Sequence, residues 1–197
     1  MKIIMLPLVI VFLTLNFVSG QNHLRPIDNN GVNFNMRVGS SNDATVAEAI
    51  LIVNPTNKLD FGIGYGNSIP KRGSLTSHII TPFIEFMPFR QGLNSPISLD
   101  FGIAYGFGST QNKSFELFTI YSRIFHQISI TNKFALVPGI GVDNQSSQGD
   151  PGLRFDGPSL FVSFSNTLLF NKFWITPTLT FAEEDYSAFS VALGIAF

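Results

Sequence analysis

The sequence contains no cysteine, a single tryptophan and few charged side chains. Without cysteine there is no disulfide framework, no thiolate metal site and no lipid-modified N-terminus. Asp, Glu, Lys and Arg together make up 13% of the 197 residues, against ~25% in an ordinary soluble domain. Net charge is −1 and Lys71-Arg72 is the one adjacent pair of basic residues. The electrostatic footprint of a nucleic-acid-binding protein is therefore missing. Long apolar runs are missing too after the first twenty residues. If the remainder crosses a membrane, it crosses as strands.

Phenylalanine is abundant, with 21 residues, and it suits both strands and lipid. Residues 1–20 begin with Lys2 and run apolar from Ile3 to Val18, interrupted by Thr14 and Asn16. They end on the small residues Ser19 and Gly20. This is the pattern of a signal peptide cleaved before Gln21. Residues 21–30 are polar and contain Pro26, as expected of a short lead-in. The folded domain is expected to cover 31–197.

The last eleven residues show the plan of that domain. Phe189, Val191, Leu193, Ile195 and Phe197 alternate with Ala188, Ser190, Ala192, Gly194 and Ala196. A period of two makes a strand with one bulky apolar face and one face of small residues. A soluble sandwich or barrel needs bulk inside and polar groups outside. Bulk outside suits a solvent of lipid, with the small residues turned to the lumen of a membrane barrel. A strand of this pattern that closes on Phe197 resembles the C-terminal strand of bacterial outer-membrane β-barrel proteins. The resemblance implies an all-β fold, an antiparallel transmembrane barrel in the outer membrane of a diderm bacterium. It also implies that Phe197 is an assembly signal read by the barrel assembly machinery. Lipid and lipopolysaccharide would be its surroundings, and residues 21–30 would be periplasmic.

Strands are predicted at Gly31–Gly39, Ala44–Asn54, Leu59–Gly66, His78–Met87, Pro96–Phe107, Phe115–Ser129, Lys133–Val142, Ser159–Phe170, Lys172–Ala182 and Tyr186–Phe197. The count is ten, with eight as the rival. Short turns at Pro55–Asn57, Ile130–Asn132 and Asn171 alternate with longer outer loops at Asn67–Ser77, Gly108–Ser114 and Asp143–Gly157. Leu59-Asp-Phe-Gly-Ile-Gly-Tyr-Gly66 returns as Leu99-Asp-Phe-Gly-Ile-Ala-Tyr-Gly106, and Ile80-Thr-Pro82 as Ile175-Thr-Pro177. The spacings differ, so this is no fixed-period repeat. Pro82, Pro138 and Pro177 fall mid-strand, where each removes a ladder donor, and bulges or ladder breaks are expected there. Tyr65, Tyr105 and Phe107 would mark the outer membrane interface, and Phe86, Phe134, Phe170, Phe173 and Phe197 the inner one. Trp174 is the exception and points inward.

The same alternation turns Arg37, Glu48, Asp60, Glu85, Asp100 and Arg123 into the lumen. Charges there must pair or be hydrated. Paired, they form a plug that knits a small barrel together; hydrated, they form a cation-preferring constriction. A ten-strand lumen is mostly filled by side chains, which favours the plug. The expected role is in envelope structure or surface interaction by a monomer. The alternative is a narrow, porin-like channel for small solutes. Residues Phe61–Gly66 are glycine-dense, but no helix pattern follows, so they are not a nucleotide loop. His78, beside Ser77 and within reach of Asp143 or Glu183 at the rim, is the one place for a rim enzyme acting on lipid A or peptides. The motifs of such enzymes are missing, and no enzyme, cofactor or metal site is expected.

Overall fold

A computed structural model describes residues 31–41, 44–71, 76–91, 95–110, 113–149, 156–170, 172–182 and 186–197. The expected signal peptide and lead-in, together with Glu183, lie outside the described residues. Eleven strands run in order: β1 (Gly31–Ser41), β2 (Ala44–Asn54), β3 (Leu59–Pro70), β4 (Ser77–Phe89), β5 (Ser98–Thr110), β6 (Lys113–Phe125), β7 (Ile128–Thr131), β8 (Phe134–Gly149), β9 (Asp156–Phe170), β10 (Phe173–Ala182) and β11 (Tyr186–Ala196).

All pairings between these strands are antiparallel, and β1 with β11 and β6 with β8 close the sheet into a barrel. The short β7 continues β6. Phe125 faces Gly139, and three residues on Ile128 faces Leu136 in the same register. The wall therefore has ten strands, not eight, and the predicted strand Phe115–Ser129 is one strand interrupted at His126–Gln127. Pro138 explains the interruption. It keeps its place opposite Phe164 on β9, but the ladder to β6 stops at Gly139. The missing N–H faces a gap already bridged from the other side, where His126 N–H donates to the Pro138 carbonyl at 3.1 Å.

The other prolines act similarly. The β4–β5 ladder skips Thr81-Pro82 and the β9–β10 ladder skips Thr176-Pro177, both without loss of register. Among the described residues the register shifts in two places: between Phe86 and Phe89, around Pro88, β4 slips by one residue against β5, and between Ser129 and Thr131 β7 slips by one residue against β8.

Alternation sets the two faces. On β4 every second residue from Ser77 to Met87 is buried and those between, from His78 to Phe86, are exposed. The exposed large apolar side chains along the wall are Val, Ile, Leu, Phe and Tyr, with Met36. Water would not tolerate such a continuous apolar surface. Counted upward from the end where β1 starts and β11 stops (the inner end), outward residues on β3, β4, β5 and β8 stay apolar for four or five alternate positions, while β6 and β9 admit one polar residue each within the band, Ser122 and Asn166. They turn polar at Asn67 on β3, His78 on β4, Ser109 on β5 and Asn144 on β8. That distance matches the 9–11 residues of a tilted transmembrane strand.

The outer loops are shorter than the sequence reading expects. β3 runs on to Pro70, β5 to Thr110 and β8 to Gly149, and Ser146 still pairs with Asp156. Beyond the apolar band both faces of a strand meet water or polar groups, so the hydrophobic alternation fades while backbone pairing continues.

Candidate functional site

The interior is where the sequence concentrates its chemistry. Arg37 and Glu48 face each other across β1 and β2 and form an ion pair, their side chains 4% and 0% exposed. Asp100 on β5 faces Arg123 on β6, and Asp60 on β3 faces Glu85 on β4. Arg123 gathers two carboxylates: Nη2 donates to Glu85 at 3.0 Å and to Asp100 at 2.5 Å, and Nε donates to Asp100 at 3.2 Å. Tyr121 donates its hydroxyl to Glu85 at 2.9 Å, and the guanidinium carbon sits 5.5 Å from the Tyr121 ring centre. Asn33 donates to Asn54, whose amide donates to Asp60. All six charges singled out in the sequence lie inside. Four of them, Asp60, Glu85, Asp100 and Arg123, gather towards the inner end, while Arg37 and Glu48 pair separately.

Two interior charges escaped the sequence reading. Arg90 is buried and donates to the Asn57 carbonyl at 3.1 Å. By strict alternation it faces outward; the slip around Pro88 turns Phe89 out and Arg90 in. Asp143, expected to begin a loop, is buried on β8 opposite Tyr121.

The expectation of small residues inside holds for β3, β5 and β11 and fails for β4, β6, β9 and β10. Phe83, Phe115, Tyr121, Phe161 and Trp174 are all buried. Each directly faces a glycine on the next strand: Gly62, Gly108, Gly102, Gly141 and Gly194. A Cβ added at any of these glycines would overlap the facing ring. The glycines are recesses into which aromatic rings fold, a device that pins register in curved sheets. Ile50, Ile52, Phe83 and Ala104 pack as one interior cluster, and Met87, Phe125 and Val137 as another.

Among the described residues the rim constellation does not assemble. His78 points outward and Ser77 inward, while Asp143 is buried. Phe197 lies at the inner end, its N–H donating to the Val32 carbonyl at 3.0 Å and its side chain exposed.

No family model and no curated relative matches the sequence. Solved structures do match in shape. The translocator domain of the autotransporter NalP from Neisseria meningitidis is similar with a TM-score of 0.58 and 9% identity, over 95% of this chain and 94% of that one. An outer-membrane channel from Pseudomonas putida F1 is similar with a TM-score of 0.52 and 10% identity, over 90% and 98%. Identity at this level speaks for the fold alone. The chain has the fold of the outer-membrane β-barrel proteins, and with its apolar outer face its place is that membrane.

Proposed function

We propose that this is a barrel with a lumen closed to ions, which serves the envelope through its body and its outer surface and performs no catalysis. The supporting observation is the state of Arg123, Glu85 and Asp100, whose side chains are 7%, 1% and 0% exposed and bonded to one another. A selectivity ring must present its charges to passing water. Charges withdrawn into mutual pairs act instead as a staple between β4, β5 and β6. In this reading β11, closing on Phe197, is the segment offered to the assembly machinery.

A narrow channel is the second reading. What favours it is a cavity of about 20 Å³ beside Arg123, lined by Phe125, Val137, Ser163 and Ser165 among others, room for a single water.

Planar-bilayer recording on the refolded protein separates the two. A silent bilayer is expected, with Arg123→Leu lowering stability by roughly 3–5 kcal/mol because two buried carboxylates lose their cation. Steady currents that lose cation preference in a Glu85→Gln, Asp100→Asn double variant would establish the channel instead.

A further inference from the structure

The seam that closes the barrel carries a polar site outside the charge network. Towards the inner end β11 turns only Ala192, Gly194 and Ala196 to the lumen, so it brings no polar side chain there. Trp174 on β10 and Asn35 on β1 both stand opposite Gly194. A Cβ added at Gly194 would overlap the indole ring and Asn35 Oδ1 alike. The two side chains therefore meet over the bare backbone of the strand between them. Asn33 stands one inward position nearer the inner end of β1.

Trp174, Asn35 and Asn33 are 6%, 4% and 2% exposed. Among the described residues, Trp174 Nε1, Asn35 Oδ1 and Asn33 Oδ1 have no hydrogen-bond partner in the protein. Buried groups of this kind are rarely left unmet. An indole N–H can only donate, and an amide oxygen can only accept. One donor and two acceptors suit a guest that accepts once and donates twice. A metal cation is opposed by the N–H, and an anion by the two oxygens. A larger polyol fares no better. On β2 the asparagines face Ile50 and Ile52, both buried, and on β11 they face Gly194 and Ala196. Further hydroxyls would find no partner on those walls. A single water fits, since buried waters make about three hydrogen bonds.

We propose that Trp174, Asn35 and Asn33 bind one buried water, which latches β10 to β1 across β11. The water accepts from the indole and donates to both amide oxygens. Asn33 itself donates to Asn54, and Asn54 to Asp60. With the water in place, one chain of hydrogen bonds runs from β10 over the seam to β3. The seam is thereby coupled to the carboxylates gathered around Arg123. This site lies against the wall and does not depend on whether ions cross the lumen.

Trp174 is the single tryptophan, so its indole gives one resolved signal. The test is water-selective NOE and ROE spectroscopy of the refolded protein in detergent micelles, with the indole labelled with nitrogen-15. The expected result is a cross-peak between the indole N–H proton and water. Its sign should be opposite in the two experiments, which marks a held water rather than proton exchange. Asn35→Leu should abolish the cross-peak. Thr176→Val, which removes the next inward hydroxyl on β10, should leave it intact. A heat-dependent gel shift verifies that each variant forms the barrel, and Asn35→Val replaces Asn35→Leu if that variant does not fold. The parent spectrum is decisive by itself, because a folded protein without the cross-peak overturns the proposal. So does a cross-peak that survives Asn35→Leu, or one that vanishes in Thr176→Val and so belongs to that hydroxyl. Replacement of the water signal by contacts to added glycerol would make a solute the guest and overturn the assignment to water.

Discussion

At Gly62 the chain omits a side chain so that the Phe83 ring can lie flat across the neighbouring strand. Gly62→Ala should therefore destabilise the barrel by roughly 1–3 kcal/mol, the usual cost of overpacking. A second change, Phe83→Leu, should recover part of that loss. Urea unfolding of the two variants in detergent measures both effects. A Gly62→Ala protein as stable as the parent would show that the ring moves aside freely. Which residues face inward was legible from the period of two: Arg37, Glu48, Asp60, Glu85, Asp100 and Arg123 all follow it. Of the rings only Trp174 was, because a phenylalanine in such a strand reads as a lipid-facing residue by composition. Only pairing reveals that Phe83, Phe115 and Phe161 each stand opposite a glycine. Arg90 was hidden for a different reason, since a one-residue slip around Pro88 reverses the face of everything after it.

Among the elements, the β6–β7 strand shows how the barrel handles an unfinished edge. β5 begins at Ser98, opposite Phe125, so the chain beyond Phe125 has no strand on that side. Gln91 supplies a substitute. Its amide donates to the Gln127 carbonyl at 2.7 Å and its oxygen accepts from the Gln127 N–H at 2.6 Å. One side chain thus occupies the place of a strand residue and covers part of an edge that would otherwise invite pairing. Gln91→Ala should cost about 1–3 kcal/mol, since both backbone groups of Gln127 lose a partner. Faster hydrogen exchange at the Gln127 amide, with exchange at Ile103 unchanged, is the measurement that checks it. The strands themselves were legible because alternation is strong inside the apolar band. The protruding parts of β3, β5 and β8 were not, since their pairing continues where no hydrophobic contrast remains to mark it.

For the molecule as a whole, the governing quantity is the depth of each outward residue in lipid. Ile103 sits mid-strand on β5 and is exposed, whereas His78 lies where the outward face turns polar. Ile103→Arg should cost ~2–4 kcal/mol and His78→Arg no more than ~1 kcal/mol, following the depth dependence of charge on a barrel's lipid face. Folding titrations in phospholipid vesicles would measure the difference, and equal costs would mean that the apolar band lies elsewhere. The interior staple has a consequence for the order of events. Asp60, Glu85, Asp100 and Arg123 belong to four consecutive strands, β3 to β6, and Asn33 and Asn54 tie β1 and β2 to the same cluster. Every partner is present before β8 to β11 have been added. An open sheet of the first six strands can therefore neutralise its own carboxylates at the membrane surface. The join between β1 and β11 then brings together Asn33, Asn35, Arg37 and Gly39 on one side and Ala196, Gly194, Ala192 and Ser190 on the other. At that seam, of the facing inward side chains only Arg37, already matched by Glu48, carries a charge.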